Sequence, residues 1–210
     1  MPNYNFTLTN WVDNSAVGAD SWTNPGYAQS LDGSDATLTS GVQQEPLLVL
    51  GGMSMNQQLP TPGYSHYLMG TSPTPIPAWA GNEVLNTISI TIQRYTTSGS
   101  VVLDNTLNLV VGGVVLTAVN KANTTLDWPS SLTSATYTFA SGDLTTLGIA
   151  KSSIDSGFGV ALTTDEVGLN GGTVYVDQIS GSFATSYSGQ TTDVLPWPIS
   201  TIPGIGIQCL

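Results

Sequence analysis

Between Val84 and Tyr95 the chain reads Val-Leu-Asn-Thr-Ile-Ser-Ile-Thr-Ile-Gln-Arg-Tyr, and this stretch restricts the fold more than any other. Ile88, Ile90 and Ile92 fall on one side of an extended backbone, and Ser89, Thr91 and Gln93 on the other. Strict period-two alternation marks a strand with one buried and one solvated face. A helix would scatter these isoleucines around its axis. The chain must therefore supply further strands to pair with this one and an apolar layer to cover it.

It does so from end to end. Asn5 to Thr9 alternates, with Phe6 and Leu8 on one face, and Pro46 to Leu50 is a short apolar run ended by Gly51-Gly52. Val101 to Leu109 and Val114 to Val119 are β-branched runs separated by Gly112-Gly113, a hairpin turn or bulge signal. Ala135 to Ala140, Phe158 to Thr163 and Thr173 to Tyr187 complete the set, with Asn170-Gly171 as a turn before the last. Only Ser141 to Ser153 hints at a helix, with Asp143 placed to cap a turn through Leu144 and Leu147. Gly, Pro and Thr elsewhere disfavour helices. The expected fold is all-β, a single β-sandwich of jelly-roll type over residues 1–189. Residues 53–79, with Pro60, Pro62, Pro73, Pro75 and Pro77, read as a long irregular excursion. Residues 190–210 read as an extended arm carrying Leu195, Trp197, Ile199, Ile202, Ile205 and Ile207. Prolines in that arm block helix and sheet-interior pairing, so its apolar residues need a groove on a partner or on the domain's own surface.

Charge narrows the function. Only 8% of the residues are Asp, Glu, Lys or Arg, against about 25% in ordinary soluble domains. Arg94, Lys121 and Lys151 are the only basic residues, and the net charge is −11. DNA, RNA and anionic lipid surfaces are bound by clustered cations, so nucleic acid and membrane are excluded as partners. A surface made of Ser, Thr, Asn, Gln and Gly suits close packing against other proteins, where each buried charge would need its own partner. Cys209 is the single cysteine, which rules out an intrachain disulfide and a thiolate zinc cluster. The N-terminal stretch lacks the basic and apolar regions of a signal peptide, so synthesis in a cytoplasm is expected.

Catalytic constellations are hard to find. His66 is the sole histidine, and Gly63-Tyr64-Ser65-His66-Tyr67 contains no nucleophile elbow. P-loop, dinucleotide-binding and HExxH motifs do not occur. A glycosidase needs only two suitably spaced carboxylates, but no pair is marked by its context. The chain is therefore read as a non-enzyme. The best polar cluster is Asp32-Gly33-Ser34-Asp35, which is either an ordinary Asp-Gly turn or a source of hard oxygen ligands for a structural calcium. Asp177 lies mid-strand, where a charge must face water or find a partner, and could complete that site with Asp32 and Asp35. Trp22, Tyr64, Tyr67 and Trp79 sit in or near loops, where they could stack on sugar rings or anchor a protein interface.

Several short stretches, taken in order, resemble a jelly-roll-like domain that recurs in tailed-phage virion proteins. Trp22-Thr23-Asn24-Pro25 followed by Asp32-Gly33-Ser34-Asp35-Ala36-Thr37 is similar to its opening. Ile76-Pro77-Ala78 leading into Ile88 to Arg94 comes next. Phe158 to Leu162 and Val174 to Ile179, ending at Tyr187, close the series. The matches run from about residue 20 to 188; the Met53 to Pro75 insertion and the apolar C-terminal arm depart from the pattern. The Asp-Gly loop and Val-Tyr-Val-Asp strand also look like galactose-binding-type jelly rolls, in which such positions can hold a structural calcium. The resemblance implies a virion component: a capsid decoration (cement) protein first, and a tail- or fibre-associated carbohydrate-binding adhesin as the alternative. Its expected partners are sister subunits in a homotrimer, the major capsid protein or tail proteins, and, in the adhesin alternative, a glycan, with the arm residues Leu195 to Ile207 making the contacts.

Overall fold

A computed structural model describes residues 1–39, 63–97, 99–155, 157–166 and 172–188. The arm with Leu195, Trp197, Ile199, Ile202, Ile205 and Ile207 lies outside the described residues, as do Pro46 to Leu50 and Asn170-Gly171. Strands β1 (Asn3–Asn14), β2 (Ala36–Thr39), β3 (Gly63–Tyr64), β4 (Tyr67–Thr74), β5 (Glu83–Thr96), β6 (Val102–Val111), β7 (Val114–Leu116), β8 (Thr133–Phe139), β9 (Phe158–Glu166) and β10 (Thr173–Tyr187) dominate the chain. The helices are short: a 3-10 turn at Pro25–Gln29, α1 (Ser141–Leu147) and α2 (Lys151–Asp155). The all-β expectation holds.

All strand pairs are antiparallel, and the hydrogen-bonded path runs β7-β6-β9-β4-β1-β10-β5-β8, with β2 added to β10 and β3 to β9. The sheet curls until its two halves face each other. Phe6, Ile88, Ile90, Ile92, Leu109, Phe139, Val160, Leu162, Val176 and Phe183 therefore belong to one buried cluster, although they come from strands far apart along the path. Aromatic rings fill its middle, with Phe6 stacked on Phe183 at 4.3 Å and edge-on to Phe158 at 5.7 Å. Gly181 lies opposite Phe6 in the register, and a Cβ there would sit 2.6 Å from the phenyl ring. Only glycine lets the ring lie flat against the strand.

The sequence boundaries hold well for β5, β9 and β10. Gly112 and Gly113 both take positive φ, as a two-residue hairpin between β6 and β7 requires. Asp143 accepts the Ala140 amide at 2.7 Å and opens α1, which ends at left-handed Gly148. One expectation is corrected. The described part of the 53–79 excursion, residues 63–79, holds β3 and β4, and β4 lies between β1 and β9. Pro73 misled the reading. It pairs with Leu8 on one side, but β9 reaches only from Leu68 to Thr71, so no strand on its other side needs an N–H from it.

The curl is fastened by a charge pair inside the core. Arg94 continues the inward row of Ile88, Ile90 and Ile92, and its guanidinium donates to Asp104 Oδ1 on β6; both residues are buried. Trp128 Nε1 donates to the same oxygen at 2.8 Å, while the Tyr137 hydroxyl and the Asn123 amide donate to Oδ2. The guanidinium also lies 4.6 Å from the Trp128 ring centroid. Burial, reinforced by the Asp104 charge, pushes the Tyr137 hydroxyl far above its ordinary range, so it stays a donor. Removing one member of a buried pair strands the other, at a cost of about 3–5 kcal/mol. Arg94→Leu should lose stability of that order in urea unfolding, and adding Asp104→Asn should recover part of it. A loss below about 1 kcal/mol would mean the pair behaves like an exposed one.

Candidate recognition face

The alternation that sends the isoleucines of β5 inward sends its hydroxyls outward, and three neighbouring strands do the same. In register, Thr7 of β1, Ser180 of β10, Thr91 of β5 and Thr136 of β8 form one row across the sheet. Asn5, Ser182, Ser89 and Thr138 form a second, and Gln178, Gln93 and Ser134 a third. Rows two residues apart on a strand are about 6.7 Å apart, and neighbouring strands about 4.8 Å. None of these eleven side chains is charged. On the β8 side the hydroxyls satisfy one another: Thr91 with Thr136 at 3.0 Å, Ser89 with Thr138 at 3.3 Å, and Ser134 donating to Gln93 at 3.0 Å.

Toward β1 the face sinks into a groove of about 420 Å³. Its floor is Thr7, Ser89, Thr91, Gln178, Ser180 and Ser182, and Thr74 and Pro75 wall one side. Beyond the third row the face ends in two tyrosines, Tyr95 and Tyr175, paired in register and stacked at 4.4 Å with rings 5° from parallel. The Tyr95 hydroxyl donates to Asp35 at 2.7 Å, and burial together with that carboxylate pushes its ionisation far above the ordinary tyrosine range.

The acidic residues singled out from the sequence meet here, in an unexpected arrangement. A bulge in β10 between Val176 and Gln178 leaves Asp177 out of the ladder and turns it toward the Asp32 loop. Asp177 Oδ1 accepts the amides of Asp32 at 3.3 Å and Gly33 at 3.4 Å. Asp32 accepts from Ser30 Oγ at 2.8 Å and the Ser34 amide at 2.9 Å, and these bonds hold its carboxyl below its ordinary value. Asp35 is engaged by Tyr95. The three carboxylates thus serve three different sets of donors, and among the described residues no group of three or more His, Cys, Asp or Glu is placed to hold a metal. Backbone N–H groups aimed at Asp177 are what a carboxylate wants and a cation does not. The residues as arranged do not fit a calcium site, and the loop is an Asp-Gly turn anchored by a buried acceptor.

His66 is also accounted for. Its Nδ1 lies 2.9 Å from Asp13 Oδ2, Asp13 Oδ1 accepts the Trp22 amide at 2.9 Å, and Trp22 Nε1 donates to the His66 carbonyl at 3.0 Å. Neighbouring Ser65 is buried and points elsewhere, donating to that same carbonyl and accepting the Thr164 amide. These contacts clamp Trp22 in place. Of the four aromatics proposed as a stacking platform, Trp22, Tyr67 and Trp79 are 4%, 6% and 8% exposed, and only Tyr64, at 44%, reaches solvent. That platform does not form. The sequence reading missed the Tyr95–Tyr175 pair, because it depends on the pairing of β5 with β10, which composition and periodicity do not specify.

No family model matches the chain and no curated protein matches it. Among solved structures it is similar to a crystal structure of the Stig cyclase Fisc from Fischerella sp. TAU in complex with (3Z)-3-(1-methyl-2-pyrrolidinylidene)-3H-indole. The identity is 12%, over 86% of this chain and 89% of that chain, with a TM-score of 0.29. A TM-score so low carries no argument.

The loop arrangement makes its own prediction. Asp177→Ala leaves two amides without their buried acceptor and should lower stability by about 1–3 kcal/mol. The loss should be the same with calcium as with chelator. If chelator alone lowered the wild-type melting temperature by a comparable amount, a cation bound to the folded state would be at work after all.

Proposed function

We propose that the chain is a non-catalytic structural component of a virion, a capsid decoration (cement) protein made in the host cytoplasm and assembled onto the shell. The observation that carries this reading is the face of β1, β10, β5 and β8: four strands wide, uncharged, and placed to meet other matter without desolvating a charge. The motif series from Trp22 to Tyr187 that resembles tailed-phage virion domains points the same way. In this reading the curled sheet is a jelly-roll-like sandwich. Its groups of catalytic type serve structure: His66 and Asp13 clamp Trp22, and Asp104 fastens the core.

Anchoring falls to residues 190–210. Six large apolar side chains, Leu195, Trp197, Ile199, Ile202, Ile205 and Ile207, interrupted by Pro196, Pro198 and Pro203, suit docking in a groove on a sister subunit or the shell. A homotrimer gives each such segment an identical acceptor. A second reading, a tail- or fibre-associated adhesin that binds carbohydrate, is favoured by the groove beside the Tyr95–Tyr175 pair.

Truncation after Gln190 tests the anchoring. The shortened protein should keep its melting temperature, lose self-association in sedimentation, and no longer bind purified particles. Labelling of intact particles should place the full chain on the shell, and a label confined to the tail would favour the adhesin. A full-length chain that stays monomeric and never binds particles would overturn the virion assignment.

A further inference from the structure

We infer that the groove over β1, β10 and β5 is a binding site for a neutral saccharide. The inference deepens the carbohydrate-binding reading and takes only the site from it, so where the protein sits on a particle does not bear on it.

Volume comes first. The groove's 420 Å³ falls within the range of about 300–1,000 Å³ typical of small-ligand sites, so it can take a short oligosaccharide rather than a single solvent-sized molecule. Its chemistry then selects the ligand class. Asn5, Gln178, Ser180 and Ser182 face the groove, and none makes a side-chain hydrogen bond within the described protein. They offer amide and hydroxyl groups at once as donors and acceptors, the complement of a sugar ring's hydroxyls. An apolar ligand would bury these groups unpaired, at a penalty for each.

Charge excludes the other polar classes. Phosphorylated, sulfated or sialylated ligands need a cation, and each of the three lies elsewhere: Arg94 in the core with Asp104, Lys121 paired with Asp143 at 2.8 Å, and Lys151 on α2. The net charge of −11 repels anions further. Cationic ligands find no carboxylate among the lining residues. At the end of the face, one row past Gln93 and Gln178, the Tyr95–Tyr175 pair provides aromatic surface on which the C–H side of a pyranose can rest. A ligand extending along β10 reaches both features.

The test uses the purified full chain and defined probes: neutral tri- and tetrasaccharides of glucose, galactose, mannose and N-acetylglucosamine, with sialylated counterparts as controls. Binding is read by two-dimensional amide NMR at millimolar sugar. At least one neutral probe should shift the amides of Thr7, Thr91 and Ser180, and the sialylated form should bind no better. Ser180→Trp points outward, fills the groove and should abolish the shifts while leaving the rest of the spectrum unchanged. Gln178→Ala should weaken binding by about tenfold, the loss of one good hydrogen bond. Three results would overturn the inference: no response to any neutral probe, shifts that persist in Ser180→Trp, or a preference for the acidic glycan. So would a groove that proves to be covered by a second protein copy, seen as self-association that Ser180→Trp breaks.

Discussion

Everything in this fold depends on a charge pair placed where a sequence reading expects none. Arg94 sits at the end of an inward-facing isoleucine row, and Asp104 belongs to a strand five positions away along the sheet. A flat sheet would keep them far apart. Only a curled one brings them together, and once buried neither can leave without exposing the other to an apolar core. Trp128, Tyr137 and the Asn123 amide supply the remaining donors to Asp104, so the segment between β7 and β8 is tied to the same point. The hydrophobic cluster drives the collapse, and the charge pair joins β5 to β6 across the curl.

The same economy of charge shapes the outside. With Arg94 inside, Lys121 on Asp143 and His66 on Asp13, little basic charge is left for the surface. Attraction to a polyanion is weak as a result, and contacts on the wide sheet face must come from hydrogen-bond geometry and shape. Such contacts are short-ranged and little affected by salt, because screening acts on charges. A protein that must bind in varied ionic surroundings gains from this, and so does one packed among many copies of its neighbours.

Legibility in the sequence followed the physics of each element. Period-two alternation made β5 readable, because Ile88, Ile90 and Ile92 share one buried face with polar residues between them. Gly112-Gly113 and Asp143 were readable because a turn and a helix start are local events. β4 was hidden by Pro73, since a missing N–H matters only if a neighbouring strand needs it, and that neighbour is set by tertiary pairing. Trp22, Tyr67 and Trp79 read as surface aromatics for a related reason: flanking Gly and Pro mark a loop but do not say that the loop folds over the core. Asp177 was read as facing water or finding a partner, and the Asp32 loop comes to meet it. The nature of the meeting was not legible, because whether backbone amides or a cation occupy the space is decided by a bulge.

That bulge links the core to the outward face of the sheet. Along β10, Ile179, Gly181 and Phe183 point inward while Gln178, Ser180 and Ser182 point outward. Without interruption the alternation would put Val176 and Val174 outside and Tyr175 inside. The extra residue at 177 reverses the parity. Val174 and Val176 return to the core, fully buried, and Tyr175 emerges beside Tyr95 at the end of the uncharged rows. The residue left over is an aspartate, and its carboxylate has two amides of the neighbouring loop to accept. A one-residue irregularity thus repairs the apolar face, builds the aromatic end of the groove-bearing surface and anchors a loop. Deleting Asp177 would leave both faces as they are, because Val176 and Gln178 already pair with the consecutive residues Arg94 and Gln93, and would remove only the loop's acceptor.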